Sequence, residues 1–142
     1  MEFSWTPEQE ALRARARAIA EDAVARHGAS NDSWMNGFSR EFSRELAALG
    51  WIGMTWPAEF GGAGRPPIER LIVAEELIAA GAPLAATWFA DRQIGPTLSA
   101  YGTADQQATH LPPILAGEVT WCIGMREPGA GSDLAALTTR AP

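Results

Sequence analysis

Lysine is absent from the 142 residues, and all eleven basic side chains are arginine. Set against seventeen acidic residues they leave a formal net charge of −6. An acidic chain repels a phosphodiester backbone, which argues against nucleic acid as a partner. Cysteine is almost as scarce: Cys122 stands alone, which excludes an internal disulfide and fits a reducing cytoplasm. His27 and His110 are the only histidines, far apart and without cysteines or carboxylates at ligand spacing, so no metal site is expected. No run of about eighteen apolar residues exists, so no membrane span is expected. The acidic, polar start "MEFSWTPEQE" does not read as a signal peptide. What the chain does have is 46% hydrophobic and 20% charged residues, a globular composition.

Most of the length carries helical signals. In "TPEQ" Thr6 can cap, Pro7 suits the first helical position, Glu8 complements the dipole and Gln9 closes a capping box. Leu12, Ala16, Ile19 and Ala23 then form one apolar stripe. Arg13, Arg15 and Arg17 alternate with alanines and are expected to be a solvated surface rather than one basic face. Residues 28–37 read as a loop. Ser39 caps a second helix with Phe42, Leu46 and Leu49 buried and Gly50 as its stop. Gly53, Gly61, Gly62 and Gly64, with Pro57, Pro66 and Pro67, make 51–67 a long irregular connection.

Ile68–Ala80 is apolar on most sides and is expected to be a central buried helix. Its Glu75 and Glu76 are expected at an exposed edge or in an ion pair with an arginine, with a catalytic carboxylate as the alternative. Residues 83–100 are expected to be one helix or two, interrupted near Gly95-Pro96. "TADQ" at 103–106 repeats the capping-box logic and opens a helix expected to falter at Pro112-Pro113.

After Gly117 the hydrophobic period changes from 3.6 to 2. Val119, Trp121, Ile123 and Met125 share one face, and Thr120, Cys122, Gly124 and Arg126 the other, which predicts a strand. The small residues Cys122 and Gly124 leave room for something flat near the backbone. The turn "PGAGSD" follows, and "DLAALTTRA" reads as a second strand. From residue chemistry alone the turn is either a hairpin loop or an anion-binding nest of backbone N–H groups with the Ser132 hydroxyl beside it. It is not a Walker loop, which needs a lysine and a following helix, nor a Rossmann turn.

Several stretches, in order and at similar spacing, resemble the acyl-CoA dehydrogenase family: "FSWTPEQEALR", "LAALGWIGMTWPAEFGGAG", "EEL", "YGTADQQATHLPPILAGE" and "EPGAGSDLA". The resemblance implies a mainly α fold, with an N-terminal helical domain over 1–117 followed over 118–142 by the beginning of a middle β-domain. It implies FAD as cofactor, an acyl-CoA substrate, an electron-transfer flavoprotein as acceptor, and a homo- or hetero-oligomer in the cytoplasm. By position, Met125 and Arg126 fall where the family's strand meets the flavin ring. Gly131 and Ser132 fall where the turn approaches the FAD pyrophosphate and the CoA side of the substrate. Leu84, Thr87 and Trp88 lie in the segment that borders the family's acyl pocket, with plain core packing as the alternative.

Two departures qualify what carries over. The family has Ser or Thr immediately before its Glu-Pro pair, whereas this chain has Arg126. A guanidinium there can stabilise an anionic reduced flavin, turn outward, or obstruct the cofactor. The family's catalytic base is a glutamate of a C-terminal domain, and no carboxylate in this chain matches it, so no catalytic residue is expected here. The expected function is the N-terminal portion of an FAD-dependent dehydrogenase that desaturates an acyl-CoA. The alternatives are a non-catalytic binding subunit on a complete flavoprotein, or an acyl-CoA oxidase or flavin monooxygenase of the same fold.

Overall fold

A computed structural model describes residues 4–140. Helix α1 (Pro7–His27) opens on the capping box, with the Thr6 hydroxyl accepting from the Gln9 N–H and the Gln9 side chain accepting from the Thr6 N–H. A single turn, α2 (Ser33–Asn36), interrupts the stretch expected to be all loop. It stays because Gly37 and Ser33 carbonyls receive the Ala85 and Leu84 N–H groups, which tie it to a distant segment. Helix α3 (Arg40–Ala48) is capped by Ser39 at Phe42 N–H. It closes in a Schellman turn, with Gly50 at φ +69° and the Trp51 N–H bonded to the Leu46 carbonyl.

The connection from 51 to 66 is irregular, as its glycines and prolines predict, but it is not peripheral. Trp51, Ile52, Met54 and Trp56 are buried and join Ala16, Ala20, Ala23, Phe42, Leu46, Val73 and Leu77 in one core. Helix α4 (Pro67–Ala80) packs along α1. It buries one face only, through Ile72, Val73, Ala74, Glu76 and Leu77. Ile68, Leu71 and Ile78 stay exposed, Leu71 by 54%, so the expectation of a centrally buried helix is corrected. Helix α1 covers just one side of α4, and the apolar outer stripe of α4 is left without a partner among the described residues.

Glu76 lies in the α1–α4 seam and accepts from Arg13 Nε at 2.7 Å and from Arg17 Nε and Nη2 at 2.8 and 3.0 Å. The ion-pair reading of Glu76 holds, and Glu75 is exposed. The arginines, however, are not a merely solvated set. Arg13 and Arg17 stand four apart and therefore share the face toward α4. Arg15 lies 5.7 Å from the Trp51 ring.

No break occurs at Gly95-Pro96. The helix instead widens into a π turn over Ala90–Ile94 and continues as α5 (Gly95–Tyr101). Pro96 has no N–H to give to the residue four before it, and the extra residue in the turn accommodates that gap. Helix α6 (Ala104–Leu115) likewise runs through Pro112 and Pro113. Their carbonyls still accept, from Ala116 and Glu118 N–H, and Leu111 and Ile114 are held in the core. The Gln107 amide nitrogen gathers the end carbonyls Leu98, Ser99 and Gly102 of α5 at 3.1–3.3 Å.

From 118 to 126 the backbone is extended, and its alternation is visible: Val119, Trp121 and Ile123 are half-buried while Thr120, Cys122 and Gly124 are exposed. Yet there is no strand among the described residues, only an isolated bridge between Glu127 and Ala130. The expected second strand is replaced by a 3₁₀ turn over Leu134–Ala136, and Ala141, at its expected end, lies outside the described residues. The reason is pairing. Period-two patterning makes a face, but a strand exists only against a neighbour's N–H and C=O groups.

Candidate functional site

The candidate residues fall into two places. Leu84, Thr87 and Trp88 line a narrow cleft between α3, α4 and the π turn, together with Asp91, Arg92 and Arg70. Leu84 and Thr87 are already buried there, and the Thr87 hydroxyl donates to the Leu84 carbonyl at 3.3 Å. Trp88 is half-buried, packs at 5.7 Å on the Trp34 ring, and carries the Arg92 guanidinium 4.0 Å from its ring centre. Burial pushes the Arg92 pKa down, countered by the charge of Asp91.

Asp91 was not foreseen from the sequence. Its Oδ1 accepts the Gly53 N–H at 2.7 Å, and its carbonyl accepts the Trp56 indole N–H at 3.0 Å. Burial raises its pKa, and the bond from Gly53 works against that rise. No sequence signal could have found it, because its partners lie 38 and 35 residues away.

Met125, Arg126, Gly131 and Ser132 belong to the other place, the extended segment and its turn, and all four are exposed. Glu127 and Ala130 exchange both backbone hydrogen bonds at 3.0 Å, with Pro128 and Gly129 at the corners of the turn. Neither Gly129 nor Gly131 has a left-handed φ. The alternation of right- and left-handed residues that builds a nest is therefore not present in this conformation. The Gly131 and Ser132 N–H groups nonetheless make no backbone hydrogen bond among the described residues, and a Cβ added at Gly129 or Gly131 would meet nothing within 4 Å. Among the described residues the turn thus keeps backbone donors without a backbone partner.

Sequence reasoning noted Glu127 only as part of a motif. Among the described residues its carboxylate accepts the most hydrogen bonds. It accepts from the Thr138 N–H at 3.0 and 3.2 Å, the Thr138 hydroxyl at 2.9 Å, the Thr139 N–H at 2.6 Å and the Thr139 hydroxyl. These donors, Thr139 foremost, hold its pKa down to about 2. Among the described residues no cluster of three or more metal-ligating side chains exists. No described helix is long and apolar enough to cross a membrane.

The model of the acyl-CoA dehydrogenase N-terminal domain matches residues 6–118. The chain is 37% identical over 147 residues to acyl-CoA dehydrogenase FadE26 of Mycobacterium tuberculosis, covering 99% of this chain and 36% of that protein. Its fold superposes with a TM-score of 0.84 on a solved structure named the Tcur3481-Tcur3483 steroid ACAD, at 37% identity and covering 99% of this chain and 37% of that one. For the ChsE4-ChsE5 complex from Mycobacterium tuberculosis the TM-score is 0.80 at 35% identity, covering 96% of this chain and 35% of that one. The chain belongs to the acyl-CoA dehydrogenase family. It spans little more than a third of the length of these relatives.

Proposed function

We propose that this chain is the N-terminal portion of an FAD-dependent acyl-CoA dehydrogenase that introduces an α,β double bond into an acyl-CoA. The observation that carries the reading is likeness over nearly the whole chain, 99% of it, to dehydrogenases in both sequence and fold. Residues 1–117 are the helical domain and 118–142 the beginning of a β-domain, whose further strands would supply the pairing that the extended segment lacks. FAD, when bound, supplies the hydride acceptor. The residues present fit a share of its site, because Met125, Gly131 and Ser132 are exposed and the turn has unengaged donors. Gly131 N–H and Ser132 N–H and hydroxyl bind phosphate oxygens, while Met125 and Arg126 border the ring. Leu84, Thr87 and Trp88 back the acyl pocket from the helical side. The base that takes the α-proton is not in this chain. Electrons leave to an electron-transfer flavoprotein, and the assembly is a cytoplasmic oligomer.

The word "steroid" in one neighbour's name supports a bulky polycyclic acyl group as substrate class. The paired names of both solved neighbours support a second reading, a binding subunit on a complete flavoprotein. The test is to purify the protein carrying this sequence from its own source and record mass, flavin absorbance and bleaching by acyl-CoA. A flavin-bearing polypeptide far heavier than 15.2 kDa that bleaches with acyl-CoA supports the dehydrogenase. A flavin-free 15.2 kDa chain held by a larger flavoprotein supports the subunit instead. In the flavin-loaded protein, Ser132→Ala is expected to weaken FAD or acyl-CoA binding by about 1.5–3 kcal/mol, the loss of a hydrogen bond to a charged group. Unchanged affinity for both, by titration calorimetry, removes Ser132 from the site.

A further inference from the structure

Glu127 holds a position that its motif does not explain. A carboxylate offers about four acceptor sites, and here the donors number four: two N–H and two O–H groups, all from Thr138 and Thr139. Its own backbone meanwhile closes the Pro128-Gly129 turn against Ala130, which is buried to 4% exposure. One residue thus fixes both ends of a loop running from 127 to 139. Inside that loop the remaining backbone bonds are local, Ala136 N–H to Asp133 and Leu137 N–H to Leu134. Nothing else in the described chain ties residue 131 or 132 in place by a backbone hydrogen bond.

We infer that Glu127 is a positioning residue whose carboxylate closes residues 127–139 into a ring and thereby holds the Gly131 and Ser132 donors ready for a phosphate-bearing ligand. The inference rests on the assignment of Gly131 and Ser132 to the dinucleotide turn. Its physical basis is entropic. An unclamped loop of this length samples many conformations, and ordering it at the moment of binding costs affinity that a preformed ring does not lose. The ionised acid is required in particular. A glutamine of the same shape has one oxygen and a donor NH₂, which would face the Thr139 donors without accepting from them. Aspartate is one methylene shorter and draws the ring inward.

The experiment uses the flavin-loaded protein carrying this sequence, as wild type, Glu127→Gln, Thr138→Val with Thr139→Val, and Ser132→Ala. Hydrogen exchange followed by mass spectrometry reads the loop, and release and rebinding of FAD reads the ligand. For Glu127→Gln, exchange at 138 and 139 is expected to accelerate about tenfold or more, and FAD affinity to fall about tenfold, the scale of a lost charged hydrogen bond. Exchange in α1 to α6 is expected to be unchanged. The double valine variant keeps both N–H donors and is expected to fall between, which keeps the inference testable if Glu127→Gln does not fold. Unchanged exchange at 138 and 139 in Glu127→Gln overturns the ring. A faster-exchanging loop with unchanged FAD affinity overturns the positioning role, provided Ser132→Ala weakens FAD. If Ser132→Ala also leaves FAD untouched, the assignment of the turn itself fails, and the inference fails with it.

Discussion

Two buried carboxylates in this chain respond to acid in opposite directions. Glu76 has its pKa held below the ordinary 4.5, first by hydrogen bonds from Arg17 and then, against the cost of burial, by Arg13. A depressed carboxylate contributes stability that is complete above its unfolded pKa and is lost as pH falls through the folded one. Glu76→Gln is therefore expected to lower unfolding free energy by about 1–2 kcal/mol at pH 7, a modest figure because both arginines are partly exposed. Denaturation at pH 7 and pH 3 checks this, with the difference between the proteins shrinking in acid. Asp91 has the reverse sign. Burial raises its pKa above 3.8, so its native form is favoured below the unfolded value and loses stability as pH climbs through the folded one. Asp91→Asn keeps an oxygen for the Gly53 N–H and discards the buried charge, and is expected to match or exceed wild type at pH 7. Asp91→Ala strands the Gly53 N–H and is expected to cost about 1–3 kcal/mol. If alanine proves as stable as asparagine, the Gly53 bond is not what matters there.

At the scale of elements, capping chemistry was legible and pairing was not. Thr6 with Gln9, Ser39, Gly50 and Thr103 with Gln106 all mark the helix ends where the sequence places them, because a cap is settled by residues within four positions. The expected break at Gly95-Pro96 meets a non-local constraint. Trp56, from the connection, lies against the π turn so closely that a Cβ on Gly95 would sit 1.8 Å from Trp56 Cζ2. The helix is thus clamped from outside at the place where Pro96 would otherwise open it. Gly95→Ala is expected to destabilise by about 1–3 kcal/mol or more through overpacking. A thermal scan with Trp fluorescence detects both the loss and the displaced indole, and an unshifted melting temperature would contradict the close approach. The π turn also swings Asp91 inward to Gly53, a consequence that no local pattern announces.

For the whole molecule, the helical body and the tail are differently secured. Between Glu118 and Glu127 no backbone N–H finds a backbone partner among the described residues, while the body is hydrogen-bonded from Thr6 to Gly117. Brief trypsin treatment is expected to cut first after Arg126, which is exposed on that unpaired segment, and to spare Arg13 and Arg17, which are engaged with Glu76 in a helix. Mass spectrometry of the first fragments decides, and an early cut within α1 would refute this order. By itself the sequence determined the longer helices, the caps of α1, α3 and α6, the stripe that α1 turns inward, the change to period two after Gly117 and, through its motifs, the family. These depend on neighbours a few residues apart or on the order of short segments. Tertiary structure alone decided that Arg13 and Arg17 meet on Glu76, that Asp91 holds Gly53, that the connection supplies four core side chains, that 118–126 is extended without being a strand, and that Glu127 closes on Thr138 and Thr139. The contacts of Glu76, Asp91 and Glu127 join groups from 11 to 63 residues apart, and the geometry that brings them within bonding distance belongs to the packed chain and not to any local stretch of it.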